Sequence, residues 1–187
     1  MRSLLSAGIL ILVVLPSLTD FATAGEPLRV GDRAPSFTLP AATRDTILSA
    51  GVPLTDYVGK SVVILAFYPA DWSGGCTREM CTMRDNFGAL ADKGATVLGI
   101  SGDYVYSHRE WARHLELPFL LLSDHRHDVA RTYNSYNEQT GYNMRTVFVI
   151  DKSGSIAYMD TAYMAGAPES FEMLKRALTS LYEGTSK

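Results

Sequence analysis

Short apolar runs rich in β-branched and aromatic residues recur along the chain, and the segments between them are long enough to form helices. Runs of this composition and length predict buried strands. Four of them fit the pattern: Val62–Phe67, 96–101, 119–122 and Thr146–Ile150. Strands that alternate with helices indicate an α/β fold in which helices flank a central sheet.

Turn and helix signals complete the predicted architecture. Residues 151–154 read Asp-Lys-Ser-Gly, a turn typical of antiparallel strands, and residues 155–159 return as a strand, so we predict a mixed sheet. Residues 30–40 alternate between apolar and polar positions and contain prolines, which predicts an N-terminal hairpin extension at the edge of the sheet. A last helix begins near Pro168, and its core-facing stripe is Phe171, Leu174, Ala177, Leu178 and Leu181.

A helical pattern over residues 77–91 follows the first buried strand and a glycine-rich turn. Its core-facing stripe is Met80, Met83, Phe87 and Leu90. Ser73 lies three residues before Cys76, at the spacing of a helix N-cap, so we expect Cys76 to open the helix. Unpaired amide groups and the positive end of the helix dipole favour a thiolate there. Cys76 is therefore the leading candidate nucleophile.

The two cysteines of the chain, Cys76 and Cys81, are spaced unfavourably for a simple disulfide. In an intact helix, positions i and i+5 lie about 140° apart around the axis, which separates their Cα atoms by roughly 8 to 9 Å. A disulfide rarely spans more than about 7 Å between Cα atoms, so these thiols can join only after local unwinding. A disulfide that forms only after local unwinding is suited to a conformational switch. A structural disulfide of a secreted protein is the alternative, ranked second because so short a loop stabilises little.

The N-terminus has the pattern of a secretory signal peptide over residues 1–24. Arg2 precedes an apolar stretch, and Ala22-Thr23-Ala24 forms a cleavage site of small residues. We expect cleavage, a mature single domain of residues 25–187, and a periplasmic or otherwise extracytoplasmic location without membrane association. An uncleaved membrane anchor is the alternative, which Pro16 and the cleavage site disfavour. In an oxidising compartment, a thiol that turns over needs a dedicated reducing partner.

Charge and histidine placement narrow the possible partners. The formal net charge is −3 at pH 7, and the basic residues are scattered, so we predict no binding to nucleic acid. His125 and His127 lie between Asp124 and Asp128, but a third ligand at a suitable spacing is missing. We interpret this segment as a polar loop or helix cap and predict neither a metal nor a cofactor. Trp111 is interpreted as a core residue.

Several segments resemble one known family. Pro69-x-x-x-Ser73-x-x-Cys76 resembles the P-x-x-x-(T/S)-x-x-C signature of peroxiredoxins. Residues 76–85 are similar to the bacterioferritin-comigratory-protein, or PrxQ, branch of the AhpC/TSA family, in which a second cysteine lies five residues after the first. Further similar segments follow the family's order at residues 30–37, 121–124 and 145–151. Together the matches cover nearly the whole predicted mature chain.

The resemblance implies a thioredoxin-like fold and a thiol-dependent peroxidase that reduces hydrogen peroxide and organic hydroperoxides. By the family pattern, Cys76 attacks the peroxide and becomes a sulfenic acid, which Cys81 resolves as an intramolecular disulfide. The resemblance further implies that Ser73 donates a hydrogen bond to the peroxide, that Pro69 shields the thiolate, and that Arg145 orients it. A thioredoxin-like or other dithiol reductant would recycle the protein, which we expect to be a monomer or weak dimer.

The roles of several other positions stay open. Glu79 matches an acidic residue of this branch, but we favour an ordinary acid of the first helical turn. Gly74 replaces a proline common in the family, which predicts a looser loop. Trp72 either forms a wall of the substrate entry or anchors the loop, and we give these two interpretations equal weight. A segment with several tyrosines is a hypothetical docking surface for the reductant: Tyr133, Tyr136 and Tyr142.

Three other classes remain as alternatives. An exported thioredoxin-like disulfide-exchange protein is the first, but its usual device is C-x-x-C, whereas this chain has C-x-x-x-x-C. A copper-binding module needs closer soft ligands with a histidine tied to them. A noncatalytic secreted domain would hold a structural disulfide, and such bonds resist mild reduction.

Overall fold

The computed structural model describes residues 27–184, and the predicted signal peptide lies outside them. The strands are β1 Thr38–Ala42, β2 Ile47–Pro53, β3 Val62–Phe67, β4 Ala95–Ser101, β5 Leu120–Ser123, β6 Tyr136–Asn137, β7 Tyr142–Asn143, β8 Thr146–Ile150 and β9 Ile156–Asp160. The helices are α1 Gly74–Asp85, α2 Phe87–Ala91, α3 Val105–His114, α4 Asp128–Thr132 and α5 Pro168–Gly184. No helix among the described residues combines the length and apolar character that crossing a bilayer requires.

Seven strands form one mixed sheet in the order β2-β1-β5-β4-β3-β8-β9, and β6 and β7 form a separate short hairpin. The central strand β3 pairs in parallel with β4 and antiparallel with β8. In the second pairing, Phe67 at the end of β3 faces Thr146 at the start of β8. The carboxyl end of β3 and the amino end of β8 therefore meet at one edge of the sheet.

Every residue of β3 is buried, because both faces of the sheet are covered. Successive side chains of a strand point to opposite faces. Accordingly, Ile64 and Ala66 pack in a core layer with residues of α1, α2, α3 and α5, whereas Leu65 and Phe67 pack in a second layer with α4 and the N-terminal hairpin. The predicted mixed sheet flanked by helices is confirmed.

The predicted hairpin lies at the edge of the sheet but further along the chain than residues 30–40. Its strands are β1 and β2, and Thr43 closes the turn by accepting hydrogen bonds from the amides of Asp45 and Thr46 at 3.1 and 2.9 Å. Of the two hairpin strands, β2 lies at the edge of the sheet and β1 does not, because β1 also pairs with β5. The alternation reflects Phe37, which is buried before β1, and buried residues of β1 itself.

The helix predicted over residues 77–91 begins earlier and divides in two. It begins at Gly74, ends at Asp85 and resumes at Phe87. Asn86 separates the pieces with φ −108° and ψ 9°, outside the helical region, and its side chain donates to the carbonyl of Thr82 at 2.9 Å. The predicted stripe keeps its role: Met80, Met83 and Leu90 are buried and Phe87 is half-buried against the same core layer. The stripe of α5 also packs inward as predicted, with Phe171, Leu174 and Leu178 buried.

Candidate active site

The first turn of α1 follows the loop that leaves the carboxyl end of β3. We call residues 68–73 the entry loop. At its end, the hydroxyl oxygen of Ser73 accepts a hydrogen bond from the Cys76 amide at 3.4 Å, which confirms Ser73 as the N-cap. Thr77 tightens the turn by donating its hydroxyl to the Ser73 carbonyl at 2.9 Å. The cap fixes Cys76 in the first turn, where its side chain is fully buried.

Arg145 reaches Cys76 because it immediately precedes β8. The pairing of β8 with β3 places its side chain beside the first turn of α1, where Nη2 donates to Cys76 Sγ at 3.2 Å. The guanidinium lies directly over Gly75, since a Cβ atom there would stand 2.5 Å from Nη2. A side chain at position 75 would therefore displace the guanidinium from its place beside Cys76. The structure brings Ser73, Cys76 and Arg145 together, as predicted, and Arg145 is not a solvated edge charge.

Glu79 is the site residue that sequence reasoning misjudged. It is not an ordinary exposed acid: its side chain is completely buried, and Oε2 accepts from Arg145 Nη1 at 2.5 Å. Its other oxygen, Oε1, is buried without a hydrogen-bond partner among residues 27–184. The available signal was the spacing from Cys76, because residues three apart on a helix face the same neighbour.

Arg145 therefore lies between two acidic groups that compete for its charge. Burial raises the pKa of Glu79 to about 7, although Arg145 acts in the opposite direction. Burial alone would lower the pKa of Arg145, but the charges of Glu79 and Cys76 outweigh it and the pKa is raised. Because one cation serves both acids, a neutral Glu79 leaves Arg145 available to the Cys76 thiolate.

Replacing Glu79 by glutamine should remove part of the pH dependence of stability. The folded protein holds a proton on Glu79 up to about pH 7, whereas an unperturbed glutamate releases it near 4.5, so the wild type loses stability as pH rises through this interval. The glutamine side chain at position 79 cannot ionise. Its unfolding free energy relative to wild type should increase by up to about 3 kcal/mol between pH 4 and pH 8.

Denaturant unfolding of both proteins across this pH range measures the difference. Glu172→Gln is the matched control, because Glu172 is an exposed carboxylate of α5. A difference between Glu79→Gln and wild type that does not change with pH would contradict the assignment of the buried proton to Glu79.

Cys81 lies further along the same unbroken helix. Both cysteines are free thiols, and Cys81 is half-buried against the core layer that contains Met80 and Met83. In a wound helix this spacing keeps the Cα atoms roughly 8 to 9 Å apart. A disulfide between Cys76 and Cys81 thus requires α1 to unwind, as the spacing predicted.

Pro69 and Trp72 lie within the entry loop. Pro69 is half-buried, and its shielding role stays a prediction. Trp72 is exposed to 55%, but its indole Nε1 donates to Ser107 Oγ at 3.3 Å and its ring lies 5.5 Å from that of His114. These contacts show that Trp72 anchors the loop to α3, whereas a role in substrate entry remains a prediction.

The other segments singled out in the sequence do not join this site. Asp124 caps α4 by accepting from the amide of Ala130 at 2.7 Å, so the interpretation of the histidine segment as a helix cap is confirmed. Trp111 is buried in the core, as predicted. Tyr133 is also buried, between the rings of Phe67 and Phe148, so it cannot form part of a docking surface. Sequence reasoning correctly placed it outside a helix or strand, but its polar neighbours gave the wrong expectation that it is exposed.

Comparisons with known proteins agree with this geometry. A model of the AhpC/TSA family matches residues 30–159. The putative peroxiredoxin bcp of Coxiella burnetii is 39% identical over 136 residues, which cover 70% of this chain and 86% of that protein. Peroxiredoxin Bcp of Bacillus subtilis is 33% identical over 135 residues, with 69% and 82% covered. The chloroplastic peroxiredoxin Q of Oryza sativa subsp. japonica is 39% identical over 130 residues, but the chain spans only 57% of its length.

Solved structures share the architecture. The peroxidoxin BcpB of Mycobacterium tuberculosis has a TM-score of 0.73 at 26% identity, covering 82% of this chain and 98% of that one. The reduced 2-Cys peroxiredoxin of Plasmodium vivax has a TM-score of 0.75 at 24% identity, with 86% and 85% covered, and shows the fold alone. The predicted thioredoxin-like fold is confirmed. The chain belongs to the AhpC/TSA family, in its branch of Bcp and Q-type peroxiredoxins.

Proposed function

We propose that the protein is a thiol-dependent peroxidase that reduces hydrogen peroxide and organic hydroperoxides, with Cys76 as the nucleophile. The observation that carries the proposal is the position of Cys76 Sγ, buried in the first turn of α1 with Arg145 Nη2 at 3.2 Å. This contact places a positive charge and a hydrogen-bond donor beside the sulfur that would attack the peroxide as a thiolate. The two bacterial relatives described above are named peroxiredoxins, which supports a peroxidase function.

The chemical step follows from the donors around the sulfur. The thiolate attacks one peroxide oxygen, an S–O bond forms, the O–O bond breaks, and the leaving oxygen takes a proton to become water or an alcohol. Cys76 becomes a sulfenic acid. Charge that develops on the leaving oxygen is stabilised by donors fixed beforehand. Arg145 is one such donor, and Ser73 is the other, because a hydroxyl can accept the Cys76 amide bond and donate to the peroxide at once.

Cys81 completes the cycle in this proposal. Its thiol attacks the sulfenic sulfur, the S–S bond forms and water leaves, after α1 has unwound enough to bring the sulfurs together. A thioredoxin-like dithiol then supplies two electrons through thiol–disulfide exchange and restores both thiols. Disulfide exchange as the main activity is not favoured, because the family and the Cys76–Cys81 spacing both support the peroxidase.

A titration of reduced wild-type protein with hydrogen peroxide tests the proposal. One equivalent of peroxide should remove both thiols, and mass spectrometry of the product should find a disulfide between Cys76 and Cys81. The reaction should be far faster than that of free cysteine at the same pH. A rate equal to that of free cysteine would overturn the proposal.

Gly74→Pro should slow disulfide formation without changing peroxide attack. Gly74 is the first residue of α1, where proline is favoured, and Ser73 before it has φ −76° and ψ 141°, which a following proline accepts. A Cβ atom at Gly74 would meet only Arg78 Nη1 at 3.9 Å. Proline restricts the unwound chain and should stabilise the wound helix by about 1 kcal/mol, which slows formation of the disulfide about fivefold.

Stopped-flow kinetics of sulfenic acid and disulfide formation measure the two steps separately. Gly74→Ala is the control, because it adds a Cβ atom without fixing φ. Disulfide formation at the wild-type rate in Gly74→Pro would show that the first turn does not unwind during resolution.

For the location of the protein, we propose export, with residues 1–24 as a cleaved leader and residues 25–187 as the mature domain. The support is the charged, apolar and small-residue order of that segment. N-terminal sequencing of the protein purified from an expressing cell, together with fractionation, tests cleavage and location. We also propose a monomer or weak dimer, which sedimentation at several concentrations tests.

A further inference from the structure

Asp71 of the entry loop and His108 of α3 form a buried hydrogen-bonded pair outside the thiol site. The carboxylate of Asp71 has no exposed surface, and it accepts hydrogen bonds from Tyr68 Oη at 2.8 Å and Ser107 Oγ at 2.7 Å. Its third neighbour is His108, also completely buried, with Nδ1 at 2.9 Å from Asp71 Oδ2. The Asp71 carboxylate is therefore surrounded by side-chain partners and is closed to solvent.

Each ring nitrogen of His108 lies within hydrogen-bond distance of an acceptor. Nδ1 faces the Asp71 carboxylate, and Nε2 lies 3.2 Å from the carbonyl oxygen of Leu122. Both neighbours are acceptors, and a neutral imidazole can donate from only one nitrogen. The shorter of the two distances, 2.9 Å, joins His108 Nδ1 to Asp71, so this bond is the one that ties His108 to the entry loop.

Stability alone is a weak explanation for such a pair. Burial of these polar side chains costs desolvation energy that offsets most of what their hydrogen bonds contribute. The position of the pair indicates a different role, because Asp71 lies two residues before the N-cap Ser73 and five before Cys76. A contact that holds Asp71 in place therefore also holds the part of the entry loop that leads to Cys76.

Other contacts join the entry loop to α3 and to the loop that precedes α3. The amide of Asp71 donates to Asp103 Oδ2 at 2.8 Å, in the loop between β4 and α3. The indole of Trp72 donates to Ser107, which itself donates to Asp71. Trp72 has φ +62°, a conformation that a bulky residue keeps only where its surroundings impose it. The loop is therefore tied to α3 independently of α1.

We propose that Asp71 and His108 are positioning residues for the peroxide reaction: the bond from His108 Nδ1 to Asp71 holds the entry loop, and with it Ser73, in place while α1 winds and unwinds. The proposal rests on the proposed peroxidase function. Peroxide then meets the same Ser73 hydroxyl in every cycle, although the helix that carries both cysteines changes shape. Neither residue touches the reacting atoms.

Two isosteric variants separate the two bonds of His108. In His108→Asn the side-chain amide nitrogen lies near the position of Nδ1 and can still donate to Asp71. In His108→Gln it lies near the position of Nε2 and can donate only to Leu122. We expect His108→Gln to reduce the second-order rate constant of sulfenic acid formation roughly tenfold to a hundredfold, and His108→Asn to retain it within about threefold. Stopped-flow measurement of that step gives the comparison.

Leu178→Ala is the stability control, because Leu178 is buried in α5 and makes no bond to the loop. It should destabilise the protein and leave the rate constant unchanged. Equal losses in His108→Asn and His108→Gln, or a loss in Leu178→Ala in proportion to its stability, would overturn the proposal.

Quenching of tryptophan fluorescence by acrylamide tests the same anchor without any reaction. Trp72 is exposed and Trp111 is buried, so the quenched signal belongs to Trp72. Quenching should increase in His108→Gln and not in His108→Asn, and an unchanged signal in both would contradict the anchor. Slow peroxide reaction of the wild type with the expected quenching pattern would instead overturn the proposed function and retain the anchor.

Discussion

Cys76→Ser is expected to slow the consumption of hydrogen peroxide by at least about a thousandfold, because removal of a catalytic nucleophile usually costs this much or more. A serine hydroxyl is not ionised near neutral pH, so Arg145 has no anion to stabilise at this position. The thiol that remains, Cys81, lies further along the helix and is not a hydrogen-bond partner of Arg145 among residues 27–184.

Stopped-flow mixing of reduced variant and peroxide gives the rate, and near-ultraviolet circular dichroism checks that the variant folds. Cys81→Ser is the matched control, because it removes one thiol by the same substitution and should keep the fast first step. A Cys76→Ser rate within about tenfold of wild type would move the nucleophile to Cys81.

Cys81→Ser is expected to consume one equivalent of peroxide at the wild-type rate and then stop. Its sulfenic acid has no thiol partner on α1, so the intramolecular disulfide cannot form. Turnover with a thioredoxin-like donor should fall by at least about a hundredfold, since the donor would have to attack a sulfenic acid buried with Cys76.

Mass spectrometry of the stalled variant should show one added oxygen on Cys76, and a coupled assay with thioredoxin and its reductase measures turnover. Multiple turnover by Cys81→Ser at the full wild-type rate would remove Cys81 from the resolving role. Wild type assayed in parallel gives the reference for both measurements.

Local signals predicted the parts of this protein that depend on neighbours in the sequence. The bounds of β3 and β8 match the predicted apolar runs, because a strand buried on both faces must be apolar throughout. Ser73 was predicted as the N-cap from spacing alone, and its bond to the Cys76 amide forms within one turn. These features require no knowledge of the rest of the fold.

Features that depend on distant parts of the chain were missed or misjudged. Glu79 becomes a buried acid only because β8 brings Arg145, 66 positions away, against α1. The bond between Asp71 and His108 joins residues 37 positions apart. The sequence around each residue contains no pattern that predicts this contact. The hairpin was placed too early because the alternation of residues 30–40 leads into β1 but does not show where the turn falls.

The register between β3 and β8 has a consequence for the life of a newly made chain. Phe67 faces Thr146, and this alignment sets Arg145 over Gly75. A slip of one residue would shift Arg145 by about 3.3 Å and turn neighbouring side chains to the opposite face. A chain in which these strands have not yet paired therefore lacks the bond between Arg145 and Cys76. The rate of the peroxide reaction should therefore report the natively folded fraction in any preparation.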